Sequence, residues 1–232
     1  MIKVGVMLSG CGVEDGSEIY ESVLTLLALE KAGATAIATA PDIEQAQIVN
    51  HYTGQETRME TRHVLSEAAR IVRGKIVAAS EISAHDLDAL ILVGGYGAAK
   101  NLCTYAADGV AATVNPDVER LIIELNALGK PIGAMCIAPV VVALALRNRK
   151  NNALVPTLTV GEAGDVATHL QRLGVKYIST GLDQICIDEH NKIVSTAAFM
   201  MAETPAQAET GITKLVEHVV GMVRETNATY QG

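Results

Sequence analysis

The sequence predicts an α/β fold: a doubly wound, mostly parallel sheet with helices on both faces, plus one small antiparallel hairpin. Three observations carry this expectation. Apolar runs of strand length alternate with amphipathic segments of helix length, the order that builds a parallel sheet through helical crossovers. Hydrophobic residues make up 49% of the 232 residues, which suits strands buried on both faces better than a half-solvated antiparallel sheet. No internal repeat, Pro/Ser-rich linker or low-complexity stretch interrupts the chain, so residues 1–232 are expected to form one domain.

Taken in order, Lys3 to Leu8 reads as the first buried strand, and Ser17 as the cap of a helix that reaches Ala32 before Gly33 stops it. Ala34 to Ala40 is the next strand. Pro41-Asp42 opens a helical turn, Asn50 to Thr61 reads as a polar loop, and a helix from Arg62 to Val72 ends at Arg73-Gly74. Asp88 to Val93 is a strongly apolar strand, and Gly94-Gly95-Tyr96-Gly97 must loop at its carboxyl end. Asn115 caps and Pro116 starts a helix that Gly129-Lys130-Pro131 closes. A short apolar strand then runs into Cys136 and an apolar helix. Arg147 to Asn152 reads as a polar turn, Thr157 to Val160 as a strand, and Asp165 to Leu173 as a helix stopped by Gly174. Gln184 to Asp188 and Lys192 to Thr196 flank a short polar turn with hairpin spacing. The last helix runs from Pro205 to Arg224, with Ile212, Leu215, Val216, Val219 and Val223 on one face.

Composition excludes several partners. The net charge of -8, 3% aromatic content and lack of Trp leave neither a phosphate-seeking basic face nor a base-stacking platform, so no nucleic acid is expected. The longest uncharged run, Pro131 to Leu146, has 16 residues with Pro and Gly inside it. That falls short of the roughly 20 needed to span a bilayer, so no membrane segment is expected. Cysteines at 11, 103, 136 and 186 show no CxxC pairing, and Met1-Ile2-Lys3 leads into a strand without a cleavable signal, which points to a reducing, cytoplasmic compartment. Cys103 and Cys186 read as core residues of a helix and a strand. Cys11 follows the first strand, as a resolving thiol beside a pocket or as small-residue packing in a Gly-flanked turn.

The candidate chemistry centres on Gly133-Ala134-Met135-Cys136-Ile137-Ala138-Pro139. A sharp strand-to-helix turn lifts the middle side chain out of the backbone, the geometry an exposed nucleophile needs. The helix start would also favour thiolate over thiol at Cys136. The other reading of Cys136 is a small buried hydrophobe. In a doubly wound sheet, ligands lie beyond the carboxyl ends of the strands at the topological switch, which brings together the loops after Leu8, Val93 and Met135. Those loops carry Glu14, Asp15, Glu18 and Glu21, the Gly94-Gly95 pair, and Cys136. Gly-Gly amides can face a developing oxyanion, or the pair simply meets a need for positive φ. A buried carboxyl with a raised pKa can move a proton, or the acids simply suit a helix start.

Val93-Gly94-Gly95-Tyr96-Gly97-Ala98-Ala99-Lys100-Asn101-Leu102 together with the Cys136 turn resembles the class I glutamine amidotransferase-like, PfpI-type superfamily. Leu8-Ser9-Gly10-Cys11-Gly12, Asp15-Gly16-Ser17-Glu18-Ile19, Pro139 and Asp188-Glu189-His190-Asn191-Lys192-Ile193-Val194 are similar to its enhancing-lycopene-biosynthesis, or sigma-cross-reacting, subgroup. The resemblance runs nearly end to end. It implies a flavodoxin-like fold, a homodimer, a reactive Cys136 and a glutamate beside it from the first helix. The superfamily places that glutamate twelve residues before the Gly ending the helix, which selects Glu21, with Glu18 one turn earlier as the alternative. Gly94, Gly95 and Ile137 match its oxyanion and substrate-binding positions.

Two departures narrow the chemistry. Glutaminases of the superfamily carry His and Glu after the last core strand, where this chain reads Ser195-Thr196-Ala197-Ala198-Phe199-Met200-Met201. PfpI-type peptidases place His directly after the nucleophile, where this chain has Ile137. Both activities are therefore not expected, and His85, His169 and His190 read as surface or loop residues. The activity that the resemblance implies is a glyoxalase-type conversion of glyoxal, or another small 2-oxoaldehyde, to a hydroxy acid, either in its own right or as an aspect of deglycation, without a metal or organic cofactor. In it Cys136 adds to the aldehyde, the Gly94-Gly95 amides hold the oxyanion and Glu21 moves the proton. Two other readings stand beside it. One is a non-catalytic redox-sensing or regulatory module using Cys136. The other is dinucleotide binding through Gly10-Cys11-Gly12, which Asp15 opposes by placing a carboxylate near the pyrophosphate.

Overall fold

The computed structural model describes residues 1–147 and 155–229, so most of the polar turn expected from Arg147 to Asn152 lies outside the described residues. Seven strands form the central sheet: β1 (Lys3–Met7), β2 (Thr35–Ala40), β3 (Val77–Ala78), β4 (Ala89–Leu92), β5 (Ile132–Met135), β6 (Ile185–Asp188) and β7 (Ile193–Thr196). Their spatial order is β6-β7-β5-β4-β1-β2-β3. All neighbours are parallel except the β6–β7 hairpin. The chain winds outward from β1 through β2 to β3, then returns to β4 and winds the other way. The strand order therefore reverses between β1 and β4, and a crevice opens beyond their carboxyl ends.

The longer helices are α1 (Ile19–Lys31), α2 (Val64–Ile71), α3 (Pro116–Ala127), α4 (Pro139–Leu146), α5 (Asp165–Arg172) and α6 (Pro205–Thr229). Strand side chains alternate between two cores, as a period of two requires. Met7, Leu90, Leu92, Ile132 and Ala134 pack with Leu121 and Leu125 of α3, Val141 and Leu144 of α4, and Leu170 of α5. Val4, Val6, Ala89 and Ile91 pack with Ala28 and Leu29 of α1, Val64 and Ala68 of α2, and Ile212, Val216 and Val219 of α6. Helix α3 begins as its sequence requires: Asn115 Oδ1 accepts the Asp117 and Val118 N–H groups at 3.0 and 3.3 Å, and Pro116 takes the first helical position.

Several local expectations are corrected. Helix α1 is capped by Glu18, whose Oε2 accepts the Glu21 N–H at 2.6 Å. Ser17 Oγ instead accepts the Ser9 N–H at 2.8 Å and so braces the loop after β1. Pro41-Asp42 opens no helical turn, and the polar stretch after it contains a small antiparallel pairing of Val49–Asn50 with Gln55–Glu56. Thr157–Leu158 pairs with Lys176–Tyr177 outside the central sheet. Cys103 is buried on an isolated bridge to Val114 rather than in a helix, whereas Cys186 is buried on β6. The last helix continues to Thr229. No helix among the described residues is long and apolar enough to cross a membrane.

Candidate active site

Cys136 directly follows β5 and has a φ of 58°, a left-handed conformation that costs a non-glycine residue about 1–2 kcal/mol. Neighbouring backbone bonds hold it there: Cys136 N–H donates to Thr196 O of β7 at 3.1 Å, and Ala138 N–H to Met135 O at 2.9 Å. Helix α4 then starts at Pro139. This is the strand-to-helix turn expected from the sequence, and the cysteine is 8% exposed.

Gly94 follows β4 and lies between Cys136 and Glu21. A Cβ at this position would stand 2.7 Å from Glu21 Oε2 and 3.0 Å from Cys136 Sγ, so a side chain here would separate the two groups. Gly95 has a φ of 91°, and a Cβ there would strike Glu18 N and Gly16 O. Both glycines thus serve close approach of backbone to backbone and to the carboxyl group.

Glu21, on the buried face of α1, is fully enclosed. Its Oε2 accepts the Gly94 N–H at 2.9 Å and its Oε1 the Phe199 N–H at 3.1 Å. Burial pushes its pKa up from 4.5 to about 7; the Glu18 charge adds to the rise, while the Phe199 and Gly94 N–H groups and Cys136 oppose it. Glu18 also lies at the site, nearly buried, with its pKa raised by burial against the N–H groups of α1. Glu18 is therefore the helix cap, and Glu21 is the acid whose Oε2 lies against Gly94 together with the Cys136 sulfur.

Two expectations about the chemistry change. The Gly94 N–H is engaged by Glu21, so the amides left facing the Cys136 sulfur are those of Gly95 and Ile137. The thiolate is also disfavoured: burial, then the Glu21 charge, push the Cys136 thiol well above its ordinary range. A helix start contributes only ~0.3–1 kcal/mol at exposed positions, which full burial of a charge outweighs.

Above Cys136 opens a cavity of about 210 Å³ lined by Val13, Glu18, Gly95, Tyr96, Cys136, Ile137, Val166, Phe199 and Met200. Val166 comes from α5, and Phe199 and Met200 from the turn after β7, where Ala198 has a φ of 44°. Phe199 stacks on Tyr20 of α1 with ring centroids 5.9 Å apart. Sequence reading missed these residues. The Phe199 contribution is a backbone N–H, which no side-chain motif reports, and its segment reads only as an apolar run in place of the glutaminase histidine.

Acidic Asp15, grouped with the site acids in the sequence, is structural. It is buried, and its Oδ2 accepts the Val49 N–H at 2.7 Å. Asn101 Nδ2 donates to Ser9 O and Asp15 O at 2.8 and 2.9 Å, and Asn101 Oδ1 accepts the Ala46 N–H at 3.0 Å. His51 Nε2 accepts the Glu14 N–H at 3.2 Å. These bonds clip the polar segment after β2 onto the loop that carries Val13 and Glu18. His85 and His190 are exposed, His169 is half-buried on α5 with Nδ1 2.7 Å from the Tyr105 hydroxyl, and no histidine lines the cavity. Cys11 does not line it either. Among the described residues no group of three or more His, Cys, Asp or Glu is placed to hold a metal ion.

A doubly wound sheet with a strained cysteine turn beside a Gly-Gly loop and a buried helix glutamate defines a class I glutamine amidotransferase-like protein. The solved structure of an isoprenoid biosynthesis protein with an amidotransferase-like domain from Ehrlichia chaffeensis has a TM-score of 0.86 and 31% identity, covering 95% of this chain and all of that one. Schizosaccharomyces pombe DJ-1, at a TM-score of 0.57 and 17% identity over 97% of this chain and 98% of that one, shares the fold. No family model matches the chain. The human glutamine amidotransferase-like class 1 domain-containing protein 3 is 40% identical over 227 residues, covering 94% of this chain and 82% of the relative. The rat ES1 protein homolog is 39% identical over 227 residues, covering 94% and 83%. The chain belongs to this ES1, glutamine amidotransferase-like family. The human, rat and zebrafish relatives are all named as mitochondrial, which overturns the expectation of a cytoplasmic compartment. Free thiols report a redox environment and carry no address within the cell.

Proposed function

We propose that the chain is a cofactor-free, glyoxalase-type enzyme that converts glyoxal or another small 2-oxoaldehyde into the corresponding 2-hydroxy acid through Cys136. The observation that carries this reading is the packing of Cys136 Sγ and Glu21 Oε2 against the same glycine, with the carboxyl raised to about 7 beneath a largely apolar cavity.

The geometry supports the following roles. The Cys136 sulfur adds to the aldehyde carbon while the thiol proton passes to Glu21, and the Gly95 and Ile137 amides face the oxygen that gains charge. Protonation of that oxygen gives a hemithioacetal. Glu21 then removes the hydrogen of the former aldehyde carbon as a proton and returns one to the neighbouring carbon. The first carbon is thereby oxidised to a thioester and the second reduced to an alcohol, so no external oxidant enters. Water cleaves the thioester, releases the hydroxy acid and restores the thiol. A carboxyl poised near neutrality is suited to both directions of transfer.

The alternative, an oxidation sensor at Cys136, calls for an exposed cysteine of low pKa. Burial and the neighbouring carboxyl count against it. Cys136→Ser is expected to abolish glyoxal turnover while leaving the thermal unfolding midpoint within a few degrees of the parent. Turnover unchanged in that variant overturns the reading.

A further inference from the structure

A thioester on Cys136 is released only when water attacks it, and rapid attack calls for a base within reach of that water. Glu21 is poorly placed for this step. It lies beside the sulfur, where it meets hydrogen on the carbon bonded there, but it is fully enclosed and forms no part of the cavity wall. Water arrives from the cavity side. Among the described residues three titratable side chains line that cavity: Cys136, which carries the acyl group, Tyr96, whose phenol is a weak base, and Glu18. Tyr96 is 55% exposed at the mouth, whereas Glu18 is 7% exposed. Glu18 is also held in place. Its N–H donates to Gly94 O at 3.0 Å, and its carbonyl accepts the Ser22 N–H at 3.1 Å and the Ser22 hydroxyl at 2.7 Å. Gly95 packs against the Glu18 main chain, which sets this residue next to the amide that faces the developing charge. A helix cap has no need of burial, yet here burial raises the Glu18 carboxyl against the helix-start N–H groups and makes its carboxylate a stronger base.

From these observations we infer that Glu18 is a second catalytic carboxylate, the base that draws a proton from water as it attacks the thioester on Cys136. The inference rests on the glyoxalase-type reading and adds a division of labour to it: Glu21 serves proton transfer between the two carbons, and Glu18 serves release of the product. As the water oxygen bonds to the acyl carbon, Glu18 takes one of the water protons. The carbon–sulfur bond breaks, and that proton passes to the departing sulfur, which restores the thiol. The hydroxy acid leaves with the remaining oxygen and hydrogen of the water, and no oxidant or reductant enters.

Glu18→Gln in the full chain tests it, because the amide keeps an oxygen for the Glu21 N–H, and so the cap, while removing the base. With glyoxal the kcat of this variant is expected to fall about 100-fold or more, the lower range for a positioned base. KM is expected to fall alongside, leaving kcat/KM within about tenfold of wild type, as when only the last step is slowed. Acid-quenched samples should carry one glyoxal equivalent on Cys136 by peptide mass spectrometry. Hydroxylamine, which cleaves thioesters, should release that group as the hydroxamate and raise the turnover of the variant. Glu21→Gln should accumulate no such species. Glu18→Asp, itself a favoured cap with its carboxylate drawn back by one methylene, should show the same acyl species to a smaller degree and decides the point if the Gln variant does not fold. Wild-type turnover with no hydroxylamine-sensitive adduct in the Glu18 variants, or with kcat/KM lost as fully as kcat, overturns the inference and leaves the glyoxalase reading standing. Absence of glyoxal turnover in wild type overturns both.

Discussion

Glu21 Oε1 accepts the Phe199 N–H at 3.1 Å, joining the helix that follows β1 to the turn that follows β7. The second oxygen of the same carboxyl accepts the Gly94 N–H, so both are fixed by backbone donors. A carboxyl held this way cannot rotate away from Cys136. The turn that carries Met200 is bound to the same group, so the acid and the cavity wall move together or not at all.

Glu21 makes stability depend on pH. Its folded pKa, about 7, lies above its ordinary 4.5, so the folded state holds a proton that the unfolded chain has released. Below about 4.5 both states are protonated and the group is neutral for stability. Between 4.5 and 7 it becomes progressively destabilising, by about 3 kcal/mol in order of magnitude once both states are ionised. Glu21→Gln removes this term. The unfolding free energy of the Gln variant relative to wild type is expected to rise from pH 4.5 to pH 8 in urea titrations; a difference independent of pH would contradict the raised carboxyl.

Alkylation of Cys136 reads the same pair from the sulfur side. Because burial and the Glu21 charge raise the thiol, iodoacetamide should label Cys136 at pH 7.5 several-fold more slowly than a cysteine in a short peptide. Glu21→Gln removes the charge and should accelerate the labelling, as followed by peptide mass spectrometry.

Gly94→Ala probes the close approach. The added methyl would lie 2.7 Å from Glu21 Oε2 and 3.0 Å from Cys136 Sγ, with the Cys136 Cβ closer still. Glyoxal turnover should fall at least 100-fold, with a loss of about 1–3 kcal/mol in stability from overpacking. Activity within a few-fold of wild type would place the reacting groups elsewhere.

Asp15→Ala tests the clip between the site loop and the polar segment after β2. Removing Oδ2 leaves the buried Val49 N–H without its acceptor, at a cost of about 1–3 kcal/mol. Limited proteolysis is expected to cut first between residues 41 and 61 in this variant. Asp15→Asn, which keeps an acceptor oxygen, should recover most of the loss.

Strands and helices whose side chains alternate over four or more residues were legible in the sequence: β1, β2, β4, β5, the β6–β7 hairpin and helices α1 to α6 fall where periodicity puts them, although α1 is capped by Glu18 in place of Ser17 and α6 runs on past Arg224 to Thr229. What escaped was short or non-local. Val77–Ala78 is too brief to show a period, and Thr157–Leu158 finds its partner in Lys176–Tyr177, a contact that no local pattern encodes. The cysteine turn, the Gly-Gly loop and the helix acids could be read because each has a side-chain or glycine signature. The state of the thiol could not, since burial is a tertiary quantity. Nor could the Gly94 and Phe199 amides be assigned, because backbone donors look alike in every sequence.

The central sheet ends on one side at Val77–Ala78, two residues paired to Thr39 and Ala40. On the other side, Asp188 closes the last strand, and its Oδ2 accepts the Thr157 N–H at 2.7 Å. Neither margin offers a long row of open peptide groups, the template on which foreign strands align. A chain this rich in aliphatic side chains is thereby guarded against fibril-like stacking by brevity at one rim and a carboxylate at the other.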